Sequence, residues 1–111
     1  MKVYRPVGAG GVVLYENTRP VFILDDLADL AGPDHGVVEL PLHLDWTSAP
    51  RYDIDRPARL RTMYATVLRE AKSEDDLRTY LSRRILVREW KLLHLPGFVR
   101  EVWEAQHPEL A

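Results

Sequence analysis

The sequence predicts an α+β fold: a small N-terminal antiparallel β layer, made of a hairpin plus an edge strand, packed on three to four C-terminal helices. Three observations carry this expectation. β-Branched and aromatic residues gather in two short runs between residues 12 and 24. Apolar and polar residues alternate strictly over 38–45. From Asp55 onward the apolar spacing changes to threes and fours, the repeat of an amphipathic helix. At 111 residues the chain has room for one modest core. A single domain over 1–111 is therefore expected, with residues 1–10 flexible, 11–45 β-rich and 55–107 helical.

The elements follow in order. "VGAGG" at 7–11 reads as a flexible opening. It is not a dinucleotide fingerprint, because Val13 stands where the third glycine belongs, and no Gly-Lys-Ser/Thr follows to make a phosphate loop. Val12–Tyr15 and Val21–Leu24 flank the polar turn Glu16-Asn17-Thr18-Arg19, which predicts a hairpin. "DDLADLAG" has Asp at its start and Gly32 at its end, so a helix of one or two turns fits. In "VVELPLHLD", Val38, Leu40, Leu42 and Leu44 share one face and Glu39, Pro41, His43 and Asp45 the other. Pro41 cannot donate to a ladder, so this strand belongs at an edge.

Leu60, Met63, Tyr64, Val67, Leu68 and Ala71 then mark the buried stripe of a first long helix, with Asp55 as its expected cap and Pro57 in its first turn. Ser73-Glu74-Asp75-Asp76 is a capping-box-like start for a second helix, with Leu77, Tyr80 and Leu81 inside. A third, over about 83–93, would bury Ile85, Leu86, Trp90 and Leu93. Pro96 opens a fourth with Phe98 or Val99, Val102 and Trp103 facing in.

Composition narrows the function classes. The chain is 46% apolar and 29% charged, ordinary for a folded protein. It has no cysteine, so a disulfide framework, cysteine-ligated zinc, an iron–sulfur cluster and a thiol nucleophile are all excluded. The N-terminus lacks the apolar run of a signal peptide, and no stretch approaches the roughly 18 apolar residues of a membrane span. A cytoplasmic protein with no membrane partner is expected. Charge is unevenly spread: residues 1–55 carry four basic and nine acidic side chains, whereas 56–91 carry ten basic and five acidic. The two regions can neutralise each other within the fold, or the basic one can be held out for an acidic protein or nucleic acid.

His43 and Asp45 are the first chemical candidates. On a straight strand their side chains would point the same way about 6.5–7 Å apart, too far to hydrogen-bond directly but close enough to share a metal or a water. The alternation turns both toward solvent, so wet-face polar residues are favoured over a catalytic or metal-binding pair. Asp53 and Asp55 are the nearest further carboxylates and read as turn and cap residues. His35, His94 and His107 lack the spacing that holds zinc, and no Gly-x-Ser-x-Gly elbow is present. No cofactor, metal or catalytic residue is assigned.

Arg83, Arg84, Arg88 and Lys91 crowd the third helix, and positions 84, 88 and 91 fall on one face, a basic ridge that could contact phosphates. Against that use, Tyr64, Tyr80, Trp90 and Trp103 lie on inner stripes, where they read as core rather than as stacking platforms.

Leu40-Pro41, Leu44-Asp45-Trp46, Tyr52-Asp53, Tyr64 with Val67-Leu68 and Glu70, Trp90, Leu93, Leu95-Pro96, Val99-Arg100 and Trp103-Glu104 form a pattern. In it the chain resembles a group of small actinobacterial-type proteins, some of them encoded beside nucleotidyltransferase-type toxins. The resemblance leaves out residues 1–37, and it departs from the group at Arg56-Pro57 and Glu70-Ala71, both at helix ends. Its motifs are mostly apolar and aromatic, so they speak for a shared fold more than a shared activity. The resemblance implies an antitoxin-like or regulatory partner of such a toxin.

The expectation is therefore a non-enzymatic protein-interaction module, with Trp46, Tyr52, His43 and Asp45 beside the edge strand as its partner interface. The alternative is a nucleic-acid-binding transcriptional regulator using Arg83, Arg84, Arg88 and Lys91. Self-association is compatible with either.

Overall fold

The computed structural model describes residues 3–4 and 11–15 as backbone, and residues 21–47 and 49–111 with their side chains. The architecture is α+β, strands first and helices after. Val3–Tyr4 (β1), Gly11–Tyr15 (β2) and Val21–Ile23 (β3) form an antiparallel sheet in chain order. β2 and β3 are the expected hairpin, with Val12 opposite Phe22 and Val13 opposite Val21. Its turn at 16–19 lies outside the described residues, as do 1–2 and 5–10 of the expected flexible opening. Within that opening β1 pairs with β2, a strand the composition did not suggest.

Val37–Glu39 (β4) and Arg51–Asp53 (β5) make a separate antiparallel pair, with Val38 opposite Tyr52 and both buried. The strand expected over 38–45 stops at Glu39. Pro41 has no N–H to continue the ladder, and its carbonyl instead accepts from Leu44 and Asp45, each at 3.0 Å, closing a turn. Leu40 and Leu44 stay buried because an i, i+4 spacing satisfies a turn as well as a strand. Two neighbours change sides: Leu42, between them, comes out to 75% exposure, and Asp45, just after them, goes in to 5%.

"DDLADLAG" is one 3-10 turn, Leu27–Asp29, capped by Asp26, whose Oδ1 accepts from Ala28 N at 2.9 Å. Gly32 does not end it. Gly32 is where the chain crosses the end of the second helix: Ala31 N donates to Arg78 O at 2.9 Å and Gly32 N to Leu81 O at 2.8 Å.

Pro57–Glu70 (α1), Glu74–Tyr80 (α2), Arg83–Glu89 (α3, extended by a 3-10 turn at Trp90–Leu92) and Gly97–Gln106 (α4) follow. The expected stripe of α1, from Leu60 to Ala71, is buried throughout. Asp55 does not cap it. Arg56 holds the cap position without a side-chain bond, and Asp55 accepts from Gly36 N across the β4–β5 pair at 3.3 Å. Ser73 does cap α2, its Oγ accepting from Asp76 N at 3.2 Å. Ser73→Ala is expected to cost about 1 kcal/mol, read as a fall of a few degrees in Tm.

The cluster Trp90, Leu93, Val99-Arg100 and Trp103-Glu104 is a structural clamp. Trp90 Nε1 donates to Glu104 at 2.8 Å, and Arg100 lies 5.2 Å over the Trp90 ring while donating to the carbonyls of Trp90 and Leu93. A cation thus satisfies the open carbonyls at a helix end. Trp103 packs 6.2 Å from Trp90 and 5.7 Å from His107. His107 is buried, with Nε2 2.6 Å from Leu24 O, which ties the C-terminal turn to the residue just after β3.

Candidate functional site

The turn after β4 is held from two sides. Asp45 accepts from Thr47 N at 2.9 Å, from Thr47 Oγ1 at 2.6 Å and from the hydroxyl of Tyr52. The first of these is an Asx turn, in which a short carboxylate captures the amide two residues on. Burial alone would push the Asp45 carboxyl up, but the hydrogen bonds from Thr47 and Tyr52 prevail and hold it below the usual carboxylate range. Burial raises the Tyr52 phenol above its ordinary value, and the Asp45 charge adds to this. Arg59, on α1, lies 4.2 Å over the Tyr52 ring. On the other side, His43 Nε2 meets Asp76 Oδ1 at 2.8 Å, and Asp76 Oδ2 accepts from Lys72 N at 2.9 Å.

His43 and Asp45 are therefore two braces rather than a pair, one tied to α2 and the other to β5. The alternation had both facing solvent; His43 is half-exposed as expected, and Asp45 is not. Tyr52 also departs from its expected place at an interface: its ring is 4% exposed and belongs to the core. What the braced turn presents outward is Trp46, 71% exposed, and Leu42. Sequence reasoning assigned Leu42 to the core because it follows the strand period, and that period ended at Pro41. It also missed Thr47, although Asp-x-Thr in a loop is an Asx-turn signal.

A groove of about 430 Å³ runs along the outer face of α1 against the Trp90–Leu92 turn. Ala58, Ala65 and Leu92 supply its apolar lining, and Arg61, Arg69 and His94 its polar one. Leu92 is 56% exposed, an apolar residue off the inner stripe of its helix. Arg69 also lines a hollow of about 100 Å³ beside Trp46, so the Trp46 turn and the groove adjoin on one face.

The basic ridge is partly neutralised. Arg84 reaches Asp34 at 3.4 Å, one contact between the acidic front and the basic middle of the chain. Glu89, itself buried, accepts from Arg88 Nε at 2.8 Å and from Arg61 Nε at 2.7 Å. These two guanidiniums, Arg61 first, hold the Glu89 carboxyl below its ordinary range against the opposing effect of burial. Among the described residues, Arg83 and Lys91 are exposed and form no ion pair. Tyr64, Trp90 and Trp103 are fully buried core, as their spacing predicts.

Among the described residues, no group of three or more His, Asp or Glu is placed to hold a metal ion, and no helix is long and apolar enough to cross a membrane. Compared with known proteins, the chain matches no family model, no curated protein and no solved structure.

Proposed function

We propose that this chain is a non-enzymatic protein-interaction module of the cytoplasm, and that it contacts its partner through the Trp46 turn and the adjoining groove. One observation carries the reading. Within a single short turn the polar Asp45 is buried and satisfied, while Trp46 and Leu42 are held in water. Isolated exposed apolar residues are common, but large ones braced outward by buried hydrogen bonds beside an apolar groove are typical of a contact surface. His43 and Asp45 serve as braces, and neither lines the groove, which supports an interaction role over a catalytic one. The resemblance over residues 40–104 makes a nucleotidyltransferase-type toxin the first partner to try, with this chain in an antitoxin-like or regulatory role.

The test is capture of the tagged chain's partners from native lysate at moderate salt, with and without nuclease, alongside a Trp46→Ala/Leu42→Ala variant. Both side chains are solvated, so the variant should keep its Tm. A stoichiometric protein that survives nuclease and is lost with the variant is the expected result. Equal retention by the variant would remove the Trp46 turn from the contact, and the absence of any protein that survives nuclease would sink the interaction reading.

The second reading, nucleic-acid binding, is favoured by Arg83 and Lys91, whose charges are exposed and unneutralised among the described residues. If it holds, retention on duplex DNA should fall steeply with salt and disappear in Arg83→Glu/Lys91→Glu. Retention that ignores both would remove it.

A further inference from the structure

We propose that the groove along α1 receives an acidic amphipathic helix of the partner protein; this specifies the partner segment for the interaction reading above and rests on it. Ala58, Ala65 and Arg69 all line the groove, and they span three turns of α1, about 16 Å, which suits about three turns of an incoming helix. Leu92 lines the same groove and is exposed, an apolar anchor.

The sign of the partner follows from how charge is distributed around the groove. The carboxylates bonded to its lining arginines are withdrawn: Glu89 is buried with Oε1 taken by Arg61 and Oε2 by Arg88, and Glu70 is buried beside Arg69. The cations are outward: Arg61, which lines the groove, and Arg88, which shares Glu89 with it, are part-exposed, and Lys91, next in sequence to Leu92, is exposed. Glu89 binds both guanidiniums through Nε. A guanidinium has five N–H donors in a rigid fork, so the terminal nitrogens of Arg61 and Arg88 remain able to donate to carboxylates. One buried anion thus orients two cations before the partner arrives, which lowers the ordering cost of binding. Nucleic acid fits this groove less well, because beyond the small His94 ring its lining holds no Phe, Tyr or Trp for bases to stack on.

The experiment uses the full chain and a labelled helical peptide of roughly 16 residues. The peptide carries Leu at i, i+3, i+4 and i+7, with Glu at the flanking positions. Two comparators are made, one with every Glu replaced by Lys and one scrambled. Binding is read by fluorescence anisotropy and located by amide chemical-shift changes. The acidic peptide should bind saturably, shift the amides of Ala65 and Leu92, and bind roughly tenfold or more tighter than either comparator. Leu92→Asp and Lys91→Glu, both at solvated positions, should each weaken it by about tenfold or more with Tm unchanged. Equal affinity for the three peptides, shifts centred elsewhere, or a self-associated chain whose Leu92 region is already covered by a second copy would each overturn the proposal. If Leu92→Asp and Lys91→Glu leave the acidic peptide's affinity intact while Trp46→Ala/Leu42→Ala still releases the captured partner, the groove assignment falls and the interaction reading stands. If the peptide binds as stated but that double variant keeps its partner, the role of the Trp46 turn falls and the groove assignment stands.

Discussion

Asp45→Ala is expected to lower stability by about 3 kcal/mol, a fall in Tm of roughly 10–15 °C. The carboxylate accepts three hydrogen bonds in a buried position, from Thr47 N, Thr47 Oγ1 and the Tyr52 hydroxyl. Hydrogen bonds to a charged acceptor are stronger than neutral ones, and its removal takes away the acceptor that the hydroxyl of Tyr52, a residue 4% exposed, donates to. Tyr52→Phe should cost less, about 1–2 kcal/mol, because Asp45 keeps both Thr47 donors. The double variant should fall short of the sum, since the two residues share one bond. Amide exchange at Thr47 should accelerate strongly in Asp45→Ala. Unchanged Tm and unchanged protection at Thr47 would show that the turn is held some other way.

The same carboxylate gives the chain an acid limit. Asp45 and Glu89 both have folded pKa values below their ordinary 3.8 and 4.5. The folded state therefore binds fewer protons than the unfolded chain in this range. Their contribution to stability is complete above the unfolded values and is lost as pH falls through the lower folded ones. Thermal melts should show a level Tm from neutrality to about pH 5 and a decline below it. Asp45→Ala should flatten part of that decline. At the alkaline end, burial pushes Tyr64 up to about 12, so its share of stability is complete below 10 and lost as pH rises toward 12.

Gly32→Ala is the second large effect, expected at about 2–4 kcal/mol. A Cβ at this position would sit 2.5 Å from the Tyr80 carbonyl carbon, 2.6 Å from Leu81 N and 2.8 Å from Leu81 O. All three are backbone atoms at the end of α2, so no side chain can swing aside to relieve the clash. The bonds from Ala31 N to Arg78 O and from Gly32 N to Leu81 O would have to lengthen. Gly36 makes the useful control. Its φ is +88° but nothing lies within 4 Å of its Cβ position. Gly36→Ala should therefore cost only the left-handed backbone preference, about 1–2 kcal/mol. If Gly32→Ala proves the milder of the two in thermal melts, the crossing is looser than described.

The helical half was largely legible before the fold was known. The stripe from Leu60 to Ala71, the Ser73 cap, the buried Trp90 and Leu93, and the Pro96 start of α4 all follow from local spacing and capping chemistry. The β half was legible where two neighbouring runs pair with each other, as β2 and β3 do. The candidate site was legible only in its address. His43, Asp45 and Trp46 were singled out, and His43 and Trp46 face outward as expected, but Asp45 does not, because one proline replaced a strand with a turn and moved Leu42 out and Asp45 in.

The sequence by itself thus determined the fold class, the helices and most of their buried faces, because period, caps and breakers act over a few residues and need no distant partner. Tertiary structure alone decided which polar residues are braces and which apolar ones are left in water. The bonds from Tyr52 to Asp45, from His43 to Asp76 and from Arg61 to Glu89 join residues 7, 33 and 28 positions apart, and a buried charge is placed by the partner that offsets its desolvation. The groove is likewise a product of assembly, formed where the outer face of α1 meets the Trp90–Leu92 turn.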